Sequence, residues 1–265
     1  MICTLGDLLL DVVVRLDGPI AEDTDTYGRT RVGPGGQAAN VAAWVAALGG
    51  RARFVGKRAA DSAGLMLAKE VARGGVEVVG PETASGTGTV VSIASLDGKR
   101  TMLTDRGVSP DLRAEELQPD WFTGCKRLHL PAYSLVVQPI REAALEAAAQ
   151  VPRVSVDLSS TTAIAGQVEE VRGLLSELGA DIVFGNEAEI ELLGEIQAET
   201  VVVKRGGRGI EVRSNDTRQA YAAEPTEVVD TTGAGDAFAA GFLLGGPELG
   251  LAAAARCVAT MGAMP

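Results

Sequence analysis

The residues with the clearest capacity for chemistry lie in Val228–Phe242, which reads V-V-D-T-T-G-A-G-D-A-F-A-A-G-F. This pattern predicts a strand that ends at Val228-Val229, a tight turn, and a helix over 234–244. Because the first backbone N–H groups of a helix lack intrahelical partners and lie at the positive end of its dipole, they can bind an anion. Glycines in the turn let a phosphate approach those amides, and Asp236 places a carboxylate beside them. The candidate anion site consists of the amides of Gly233, Ala234 and Gly235.

Asp236 and these amides together suit phosphoryl transfer. The amides would hold the charge of the transferring phosphate while Asp236 accepts the proton of the attacking hydroxyl. The same residues also describe an ordinary helix N-terminus, in which the acid compensates the dipole and the glycines only form the turn. The stretch by itself leaves both interpretations open.

A second set of candidate residues lies near the N-terminus. Asp11 interrupts the apolar residues of 8–14, which is a costly position for a carboxylate without a partner. We therefore expect Asp11 to face a cleft and accept hydrogen bonds from ligand hydroxyls, although a β-turn or sheet edge that exposes it is the alternative. Gly35-Gly36 precedes a predicted helix and would let a ligand approach the backbone, and Asn40 would offer hydroxyls both a donor and an acceptor.

Beyond residue 111, short apolar runs alternate with helical patterns. The runs are 127–130, 153–156, 181–184 and 200–203, and the clearest helices are 140–150 and 168–178. This alternation predicts βαβ units and a parallel sheet. Ligands bind such sheets at the carboxyl ends of the strands, where Asp157, Asn186 and Lys204 fall.

A small additional sheet is predicted from two β-rich regions. Residues 87–95 and 101–104 flank Asp97-Gly98, a strong hairpin signal. A shorter segment at 27–32 can form a further strand of the same sheet. Lys99 and Arg100, next to the hairpin turn, are expected to be solvated.

The composition fits helices packed on a parallel sheet, since 46% of the 265 residues are hydrophobic and only 4% are aromatic. A net charge of −11 argues against nucleic-acid or membrane partners, because both attract positively charged surfaces. Cys3, Cys125 and Cys257 are odd in number and lack the spacing of a disulfide framework or zinc site. No secretory leader and no run of about 18 apolar residues is recognised. We therefore expect a soluble, cytoplasmic protein.

The chain resembles the PfkB (ribokinase-like) family of carbohydrate and nucleoside kinases. D-T-T-G-A-G-D-A-F at 230–238 resembles the C-terminal signature of that family, and G-G-Q-A-A-N-V-A at 35–42 resembles its first signature. Residues 56–64 resemble the pattern G-x-x-G-x-D-x-x-G, with Ala59 in place of the middle glycine. N-E-A-E at 186–189 is similar to the N-x-x-E motif of the family.

The resemblance implies a fold for the whole chain. It implies one α/β domain over residues 1–265, a three-layer α/β/α sandwich around a mainly parallel sheet. It also implies a small β-sheet lid from segments about 12–32 and 87–104. In this family the lid covers the sugar, so Val90, Ile93 and Met102 are candidates to close the site. A homodimer through the lid is part of the same expectation.

The resemblance also implies a reaction, the transfer of the γ-phosphate of ATP to a sugar-type hydroxyl in the presence of Mg²⁺. Asp236 would be the general base, with Gly233, Ala234 and Gly235 as the anion hole. The substrate would be held by Asp11, Gly35, Gly36 and Asn40. ATP would be bound by Asn186, Lys204, Gly206 and Gly209. Glu189 would organise Mg²⁺ through water, and Asp230 with Thr231 would bind a monovalent cation such as K⁺, as in some relatives.

Several functions remain open at this stage. The resemblance predicts a sugar of the ribose, fructose or sugar-acid type as the substrate. In fructose and sugar-acid kinases an Asn and an Arg often follow the aspartate that corresponds to Asp157, and neither residue is found at 158–160. A nucleoside kinase of the same fold is the nearest alternative. A non-catalytic sugar or nucleotide sensor would not need Asp236. A nicotinamide oxidoreductase would need G-x-G-x-x-G after the first strand, and a Ser-His-Asp hydrolase would need His129, which we expect in the core.

Overall fold

A computed structural model describes residues 1–94, 100–214 and 217–265. The predicted hairpin turn at Asp97-Gly98 and the neighbouring Lys99 lie outside the described residues, as do the side chain of Arg100 and residues 215–216.

The described chain alternates strands and helices over most of its length. In chain order the strands are β1 (Ile2–Leu5), β2 (Leu9–Leu16), β3 (Gly28–Gly35), β4 (Ala52–Val55), β5 (Arg58–Ala59), β6 (Val76–Val79), β7 (Glu82–Thr83), β8 (Thr87–Ala94), β9 (Arg100–Gly107), β10 (Arg127–Pro131), β11 (Val154–Asp157), β12 (Ile182–Asn186), β13 (Thr200–Lys204), β14 (Ile210–Ser214) and β15 (Thr217–Tyr221). The helices are α1 (Gln37–Ala47), α2 (Ser62–Arg73), α3 (Ile140–Ala149), α4 (Thr161–Ile164), α5 (Val168–Glu177), α6 (Glu187–Leu193), α7 (Ala234–Gly245) and α8 (Pro247–Val258).

The large sheet has the strand order β15-β14-β13-β12-β11-β10-β1-β4-β6. All neighbouring strands are parallel from β13 to β6, and only β14 and β15 run antiparallel to their neighbours. The mainly parallel sheet predicted from the sequence is therefore confirmed. Parallel pairing brings the carboxyl ends of β1 and β10 to β13 to one edge, where the polar residues of the site lie.

Helices cover both faces of this sheet. Because successive side chains of a strand point to opposite faces, Phe54 and Val202 belong to one apolar cluster and their neighbours Val55 and Val203 to the other. Helices α1, α2, α7 and α8 pack on the first face, and α3, α5 and α6 on the second. The predicted three-layer α/β/α sandwich is confirmed.

A separate four-stranded sheet, here called the lid sheet, has the order β3-β2-β8-β9. The predicted segments 12–32 and 87–104 contribute to it. Strand β3 runs on to Gly35, beyond the Val32 expected from the sequence, because Leu9 of β2 still pairs with Gly35. Pro34 is accommodated within the strand because β3 lies at the edge of the sheet.

Asp61 connects the lid sheet to helix α2. Its carboxylate caps α2 by accepting a hydrogen bond from Gly64 N (2.9 Å) and also accepts from Gly86 N (3.1 Å) and Thr87 N (3.0 Å) at the start of β8. Hydrogen bonds from the Thr87 hydroxyl and from the Gly64 amide lower the Asp61 pKa to about 2. Asp61 therefore caps α2 and also holds the base of the lid sheet.

His129 is fully buried within β10, as expected for a core residue. Its Nδ1 lies 3.0 Å from Ser155 Oγ, and its ring meets Phe184 edge-on at 5.9 Å between centroids. Burial lowers its pKa to about 4, so the ring is neutral near pH 7. His129 does not line either of the cavities described below.

The prediction of a strand ending at Val228-Val229 is wrong. These residues belong to an irregular segment between β15 and α7, and their side chains are 60% and 44% exposed. Val229 N donates to Val258 O at the end of α8 (2.7 Å) and not to a neighbouring strand. An apolar pair at the rim of a cavity gives the same sequence pattern as the end of a buried strand.

Within the described residues, no helix is long and apolar enough to cross a membrane.

Replacing Phe184 by Ala is expected to lower the free energy of unfolding by about 3–5 kcal/mol, the usual cost of deleting a buried aromatic ring. Phe184 is fully buried and contacts three aromatic rings, those of His129, Phe238 and Phe242. Urea unfolding measures this change. Leu65→Ala, at a position 54% exposed on α2, is the control and should change stability by less than about 0.5 kcal/mol. Equal losses in the two variants would contradict the assignment of Phe184 to the core.

Candidate active site

Two cavities meet at the carboxyl edge of the large sheet. The lid-side cavity has a volume of about 630 Å³ and lies between that edge and the lid sheet. The helix-side cavity, of about 500 Å³, lies beside α7 and α8. Both cavities are lined by Lys204, Thr231 and Gly235, so the two join at these residues.

Asp236 lies at this junction, in the first turn of α7. The helix begins after Gly233, which has the left-handed conformation (φ 76°). A Cβ atom at Gly233 would overlap Ala263, so the turn requires glycine. Within the described part of the chain, the backbone N–H groups of Gly233 and Gly235 have no hydrogen bond to protein. The structure therefore places two open amides next to a carboxylate, while the third predicted amide, Ala234 N, lies 3.4 Å from Thr231 O.

Asn40 binds Asp236 although 196 residues separate them in the sequence. Asn40 Nδ2 donates to Asp236 Oδ2 at 2.7 Å, which joins helix α1 to helix α7. The pKa of Asp236 is raised to about 7, chiefly by burial and also by the charges of Asp157 and Asp11, while the Asn40 hydrogen bond and Lys204 act in the opposite direction. A carboxyl group with a pKa near neutrality can exchange protons at physiological pH.

Lys204 forms a two-fold contact with Asp157. Its Nζ lies 2.9 Å from Asp157 Oδ1 and 2.7 Å from Oδ2. Burial would lower the pKa of Lys204, but Asp157, Glu189 and Asp236 together raise it above its usual value, so the ammonium stays charged. A Cβ atom on Gly235 would lie 3.3 Å from Nζ, so the absence of a side chain there keeps Nζ accessible at the junction of the two cavities. Lys204 is thus a fixed positive charge at the junction.

Glu189 and Asn186 form a capping box at the start of α6. Asn186 donates to both carboxylate oxygens of Glu189, through its backbone N and its Nδ2 (2.8 Å each), and Asn186 Oδ1 accepts from Glu189 N (2.9 Å). Burial raises the pKa of Glu189. Both residues line the lid-side cavity. The family resemblance instead implied that Asn186 binds ATP. With its side chain held by Glu189, Asn186 positions that carboxylate.

Asp11 and the glycine pair form one packed unit. A Cβ atom on Gly35 would overlap the carboxylate of Asp11, and Gly36 has a φ of 94° with no room for a side chain against Asp7 O. The glycines are therefore required by the packing of the two aspartates. Asp11 and Gly36 line the lid-side cavity together with Asn40. Among the predicted lid residues Val90 and Met102 also line it, but Ile93, three positions from Val90, lies on the opposite face of the lid sheet.

Asp7 and Arg106 are site residues that the sequence did not reveal. Arg106 Nε and Nη2 each donate to Asp7 at 2.7 Å, and Nη1 donates to Tyr133 O at 3.2 Å. The guanidinium also lies 5.6 Å from the centroid of the Tyr133 ring. Arg106 comes from β9 of the lid sheet and Asp7 from the end of β1, so this pair connects the lid sheet to the large sheet. Ninety-nine residues separate the two, and no local pattern identifies such a pair.

The helix-side cavity is mainly apolar. The predicted glycines Gly206 and Gly209 lie at its mouth, and Gly209, with a φ of 85°, would overlap Tyr221 O if it carried a side chain. Its apolar lining comes from residues with no chemical signature in the sequence, among them Ala223, Pro225, Val228, Phe238, Leu251 and Ala254. A slot of this composition suits a flat aromatic ring system with the polar part of the ligand directed toward Gly206 and Lys204.

Asp230 holds the turn before α7 in place. Its Oδ1 accepts from Thr232 N (2.9 Å) and Thr232 Oγ1 (2.6 Å), and its Oδ2 accepts from Gly262 N (2.9 Å). Next to this contact, Trp44 Nε1 donates to Ala263 O at 2.8 Å. The segment around Gly262 and Ala263 therefore supports both the Asp230 turn and helix α1.

The arrangement combines a proton acceptor with groups that stabilise negative charge. Asp236 can take a proton from a group in the lid-side cavity, while Lys204 and the amides at the start of α7 face a group that enters from the helix-side cavity. These are the elements of a transfer of an anionic group between two bound molecules.

Comparisons with known proteins identify relatives over nearly the whole chain. A family model described as pfkB family carbohydrate kinase matches residues 1–264. Fructokinase-1 of Zea mays is 31% identical over 267 aligned positions, which cover 92% of this chain and 82% of that protein.

Solved structures give the same result for the fold. The adenosine kinase of Sinorhizobium meliloti matches with a TM-score of 0.90 and 27% identity, over 100% of this chain and 95% of that one. A putative ribokinase II of E. coli, in complex with ATP and Mg²⁺, matches with a TM-score of 0.84 and 21% identity, over 99% of this chain and 94% of that one.

Replacing Asn40 by Ala is expected to raise the pKa of Asp236 above its value of about 7, because the substitution removes the hydrogen bond that stabilises the ionised carboxylate. Carbon-13 NMR of the carboxyl groups of labelled protein, followed as a function of pH, measures this change. Gln150→Ala, at the end of α3 on the other side of the sheet, should leave the titration unaltered. An unchanged or lower pKa in Asn40→Ala would contradict the assigned role of the hydrogen bond.

Proposed function

Because the chain belongs to the pfkB family of carbohydrate kinases, we propose that it transfers the γ-phosphoryl group of ATP to a hydroxyl of a sugar bound in the lid-side cavity. The family makes the chain a phosphotransferase with an alcohol group as acceptor. The observation that carries the finer proposal is the position of Gly235 and Lys204 where the two cavities join, with Asp236 beside them in the lid-side cavity. A hydroxyl from one side and a phosphate from the other can approach each other only there.

In the proposed mechanism Asp236 is the general base. Its carboxylate accepts the proton of the attacking hydroxyl, and Asn40 holds it in the orientation needed for that transfer. A pKa of about 7 gives a base that is substantially ionised at neutral pH and still able to retain the proton it accepts.

The charge of the transferring group is stabilised from two directions. The amides of Gly233, Ala234 and Gly235 point from the start of α7, where the helix dipole adds to their effect. Lys204 supplies a full positive charge, and Asp157 fixes its position. Both contributions are organised before the substrates bind, so little reorganisation is needed during the reaction.

ATP is proposed to bind with its base in the helix-side cavity and its phosphates along Gly206 and Gly209. The E. coli relative in complex with ATP and Mg²⁺ supports this proposal through its shared fold. Mg²⁺ would offset the charge of the triphosphate, and Glu189 is the residue that would hold it through water. The fit is reasonable because Mg²⁺ usually keeps several waters and takes few protein ligands. No cluster of three acidic, His or Cys side chains that could form a dedicated metal cage is found in the described residues.

The fructokinase of Zea mays supports a sugar as the acceptor. The adenosine kinase of Sinorhizobium meliloti favours a nucleoside as the second candidate, since it is 27% identical over the whole of this chain. A non-catalytic sensor is disfavoured because it would have no use for a carboxyl group tuned to neutral pH.

Three further features stay predictions. The Asp230 turn is the proposed place for a K⁺ effect, although its carboxylate already accepts hydrogen bonds from Thr232 and Gly262. Exchange of K⁺ for Na⁺ in the kinase assay tests this proposal, and equal rates with the two ions would contradict it. A cytoplasmic location is the second. The third is a homodimer formed through the lid sheet.

The dimer proposal rests on the face of the lid sheet that points away from the cavity. Val12 pairs with Val32 and with Val91, and Val91 pairs with Leu103, so four apolar side chains form a row across the sheet. Val32 is 54% and Leu103 is 59% exposed. An apolar row of this kind is complementary to a second copy of itself across a two-fold axis.

Leu103→Lys is expected to convert a dimer into a monomer, because it places a charge in the apolar row of the proposed interface. Analytical ultracentrifugation measures the mass of the wild type and the variant. Leu192→Lys, at an exposed position of helix α6 outside the lid sheet, should keep the mass of the wild type. A wild type that sediments as a monomer at micromolar concentration would remove the proposal.

Asp236→Asn is expected to reduce turnover about 10²–10⁴-fold, the range typical of losing a general base. Affinity for ATP should be retained, because the amides of α7 and Lys204 are unchanged. ADP release in a coupled assay and calorimetric ATP titration measure the two quantities. Glu142→Gln removes a carboxylate from the first turn of α3, remote from both cavities, and should leave turnover unaltered.

The pH profile provides a second test of the same residue. Protonated Asp236 cannot accept a proton, so kcat/KM for the wild type should fall as the pH is lowered through about 7. In Asp236→Asn the residual activity should no longer show this decrease. Full turnover in the variant, or an acid limb that persists there, would overturn the assignment of Asp236 as the base.

A further inference from the structure

The lid-side cavity is strongly acidic. Among the described residues that line it are five carboxylates, from Asp7, Asp11, Asp157, Glu189 and Asp236, and two cations, from Arg106 and Lys204. A third cation, Arg31, lies on the lid sheet close by, but its guanidinium donates to Met261 O and borders a separate small cavity. The charge that a ligand meets in the lid-side cavity therefore depends on whether Arg106 and Lys204 are available.

Lys204 is not available to a ligand in this cavity. Both oxygens of Asp157 contact its ammonium group, and the Asp157 side chain is only 1% exposed. A ligand that drew Lys204 away would leave a buried carboxylate without a counter-charge, which is strongly unfavourable. The remaining open side of Lys204 faces the junction with the helix-side cavity, where the phosphates of ATP are proposed to lie.

Arg106 is also unavailable to a ligand, because its guanidinium already donates hydrogen bonds to the protein. Two of its nitrogens donate to the two oxygens of Asp7, and the third donates to Tyr133 O. The Asp7 side chain is 8% exposed, so this pair too cannot be separated without leaving a desolvated carboxylate. Arg106 neutralises Asp7 and adds no net positive charge to the cavity.

The other polar groups of the cavity suit hydroxyls. Asp11 offers carboxylate oxygens, which only accept hydrogen bonds, and a ligand hydroxyl is the matching donor. Gln37 and Thr104 add an amide and a hydroxyl, which can donate as well as accept. A ligand carboxylate or phosphate would instead face the carboxylates of Asp11, Glu189 and Asp236 with no free cation among the described lining residues.

We propose that the acceptor of this kinase is an uncharged, polyhydroxylated molecule, and that the lid-side cavity excludes sugar acids and sugar phosphates. This inference rests on the proposed function, because it concerns the molecule that receives the phosphoryl group. It narrows the class of acceptors from any sugar-like alcohol to neutral sugars and nucleosides.

The test compares matched pairs of acceptors that differ in charge. Each neutral acceptor is paired with charged compounds modified at one end or the other, so that one of them keeps the hydroxyl that is phosphorylated. The pairs are D-fructose with its 1-phosphate and with its 6-phosphate, D-glucose with D-gluconate and with D-glucuronate, D-ribose with its 1-phosphate and with its 5-phosphate, and adenosine with 3′-AMP and with 5′-AMP. ADP release with saturating ATP and Mg²⁺ gives kcat/KM for each compound. The neutral member of the best pair is expected to exceed its charged partner by about 10²-fold, since an unfavourable like-charge contact costs several kcal/mol.

A variant extends the test to Asp7, the carboxylate that pairs with Arg106. Asp7→Asn removes one carboxylate and releases the guanidinium, so the preference for the neutral member should fall by about tenfold or more. Glu116→Gln is the matched control, because Glu116 pairs with Lys57 and does not line the cavity. Its preference should equal that of the wild type. Calorimetric binding of each pair without ATP gives the same comparison if Asp7→Asn is catalytically impaired.

The outcomes separate the two levels of the proposal. Turnover of a charged acceptor that equals or exceeds that of its neutral partner would overturn this inference and leave the kinase assignment intact. Absence of ADP release with every acceptor, together with no calorimetric binding of any of them, would overturn the proposed function and this inference with it. Tight binding of a neutral member with no turnover would uphold the charge selection and contradict the catalytic proposal.

Discussion

Lys204 and Asp157 form an ion pair at the carboxyl ends of two strands, and the electrostatics of the whole site depend on it. A carboxylate as buried as Asp157 needs a partner, and a lysine whose surroundings are mostly protein keeps its charge only beside one. The pair therefore fixes an ammonium group between two cavities. Because the pair also lies near Glu189 and Asp236, its lysine opposes the effect of burial on the pKa of each of those carboxyls, whereas its aspartate adds to that effect.

The residues around Asp236 shift the pKa of its carboxyl group in opposite directions. Asn40 and Lys204 favour the ionised form of Asp236, while burial, Asp157 and Asp11 favour the protonated form. The result is a pKa near neutrality that no single neighbour determines. In a site of this kind, the loss of one contact shifts the pKa of the carboxyl group, and with it the pH range in which the group is ionised. In a site where one residue alone sets the pKa, the loss of that residue removes the whole effect.

The sequence predicted the parts of the site that belong to one local pattern. Asp236 and the glycines of its turn lie at a helix start, where capping and dipole arguments apply directly. Asn40 also lies near the start of a helix, after a glycine pair. The alternating strands and helices were sufficient to predict a parallel sheet, and the family resemblance extended this prediction to a three-layer sandwich. The Asp7–Arg106 pair could not be predicted, because it depends on how the lid sheet folds back over the large sheet. The lining of the helix-side cavity is made of alanine, valine and leucine, which have the same sequence pattern in a cavity wall as in a core.

The contacts that support the Asp236 turn have a consequence for how the chain acquires its function during synthesis. Asn40 is made early and Asp236 late, and the turn is held by Gly262 and Ala263, which follow later still. On the ribosome, the N-terminal strands and α1 can pair long before their partner α7 exists. Asp236, the amides of its turn and Asn40 come together only after residues up to Ala263 have emerged. The candidate site of a nascent chain is therefore incomplete until α7 and α8 dock, and it forms as one late event of folding.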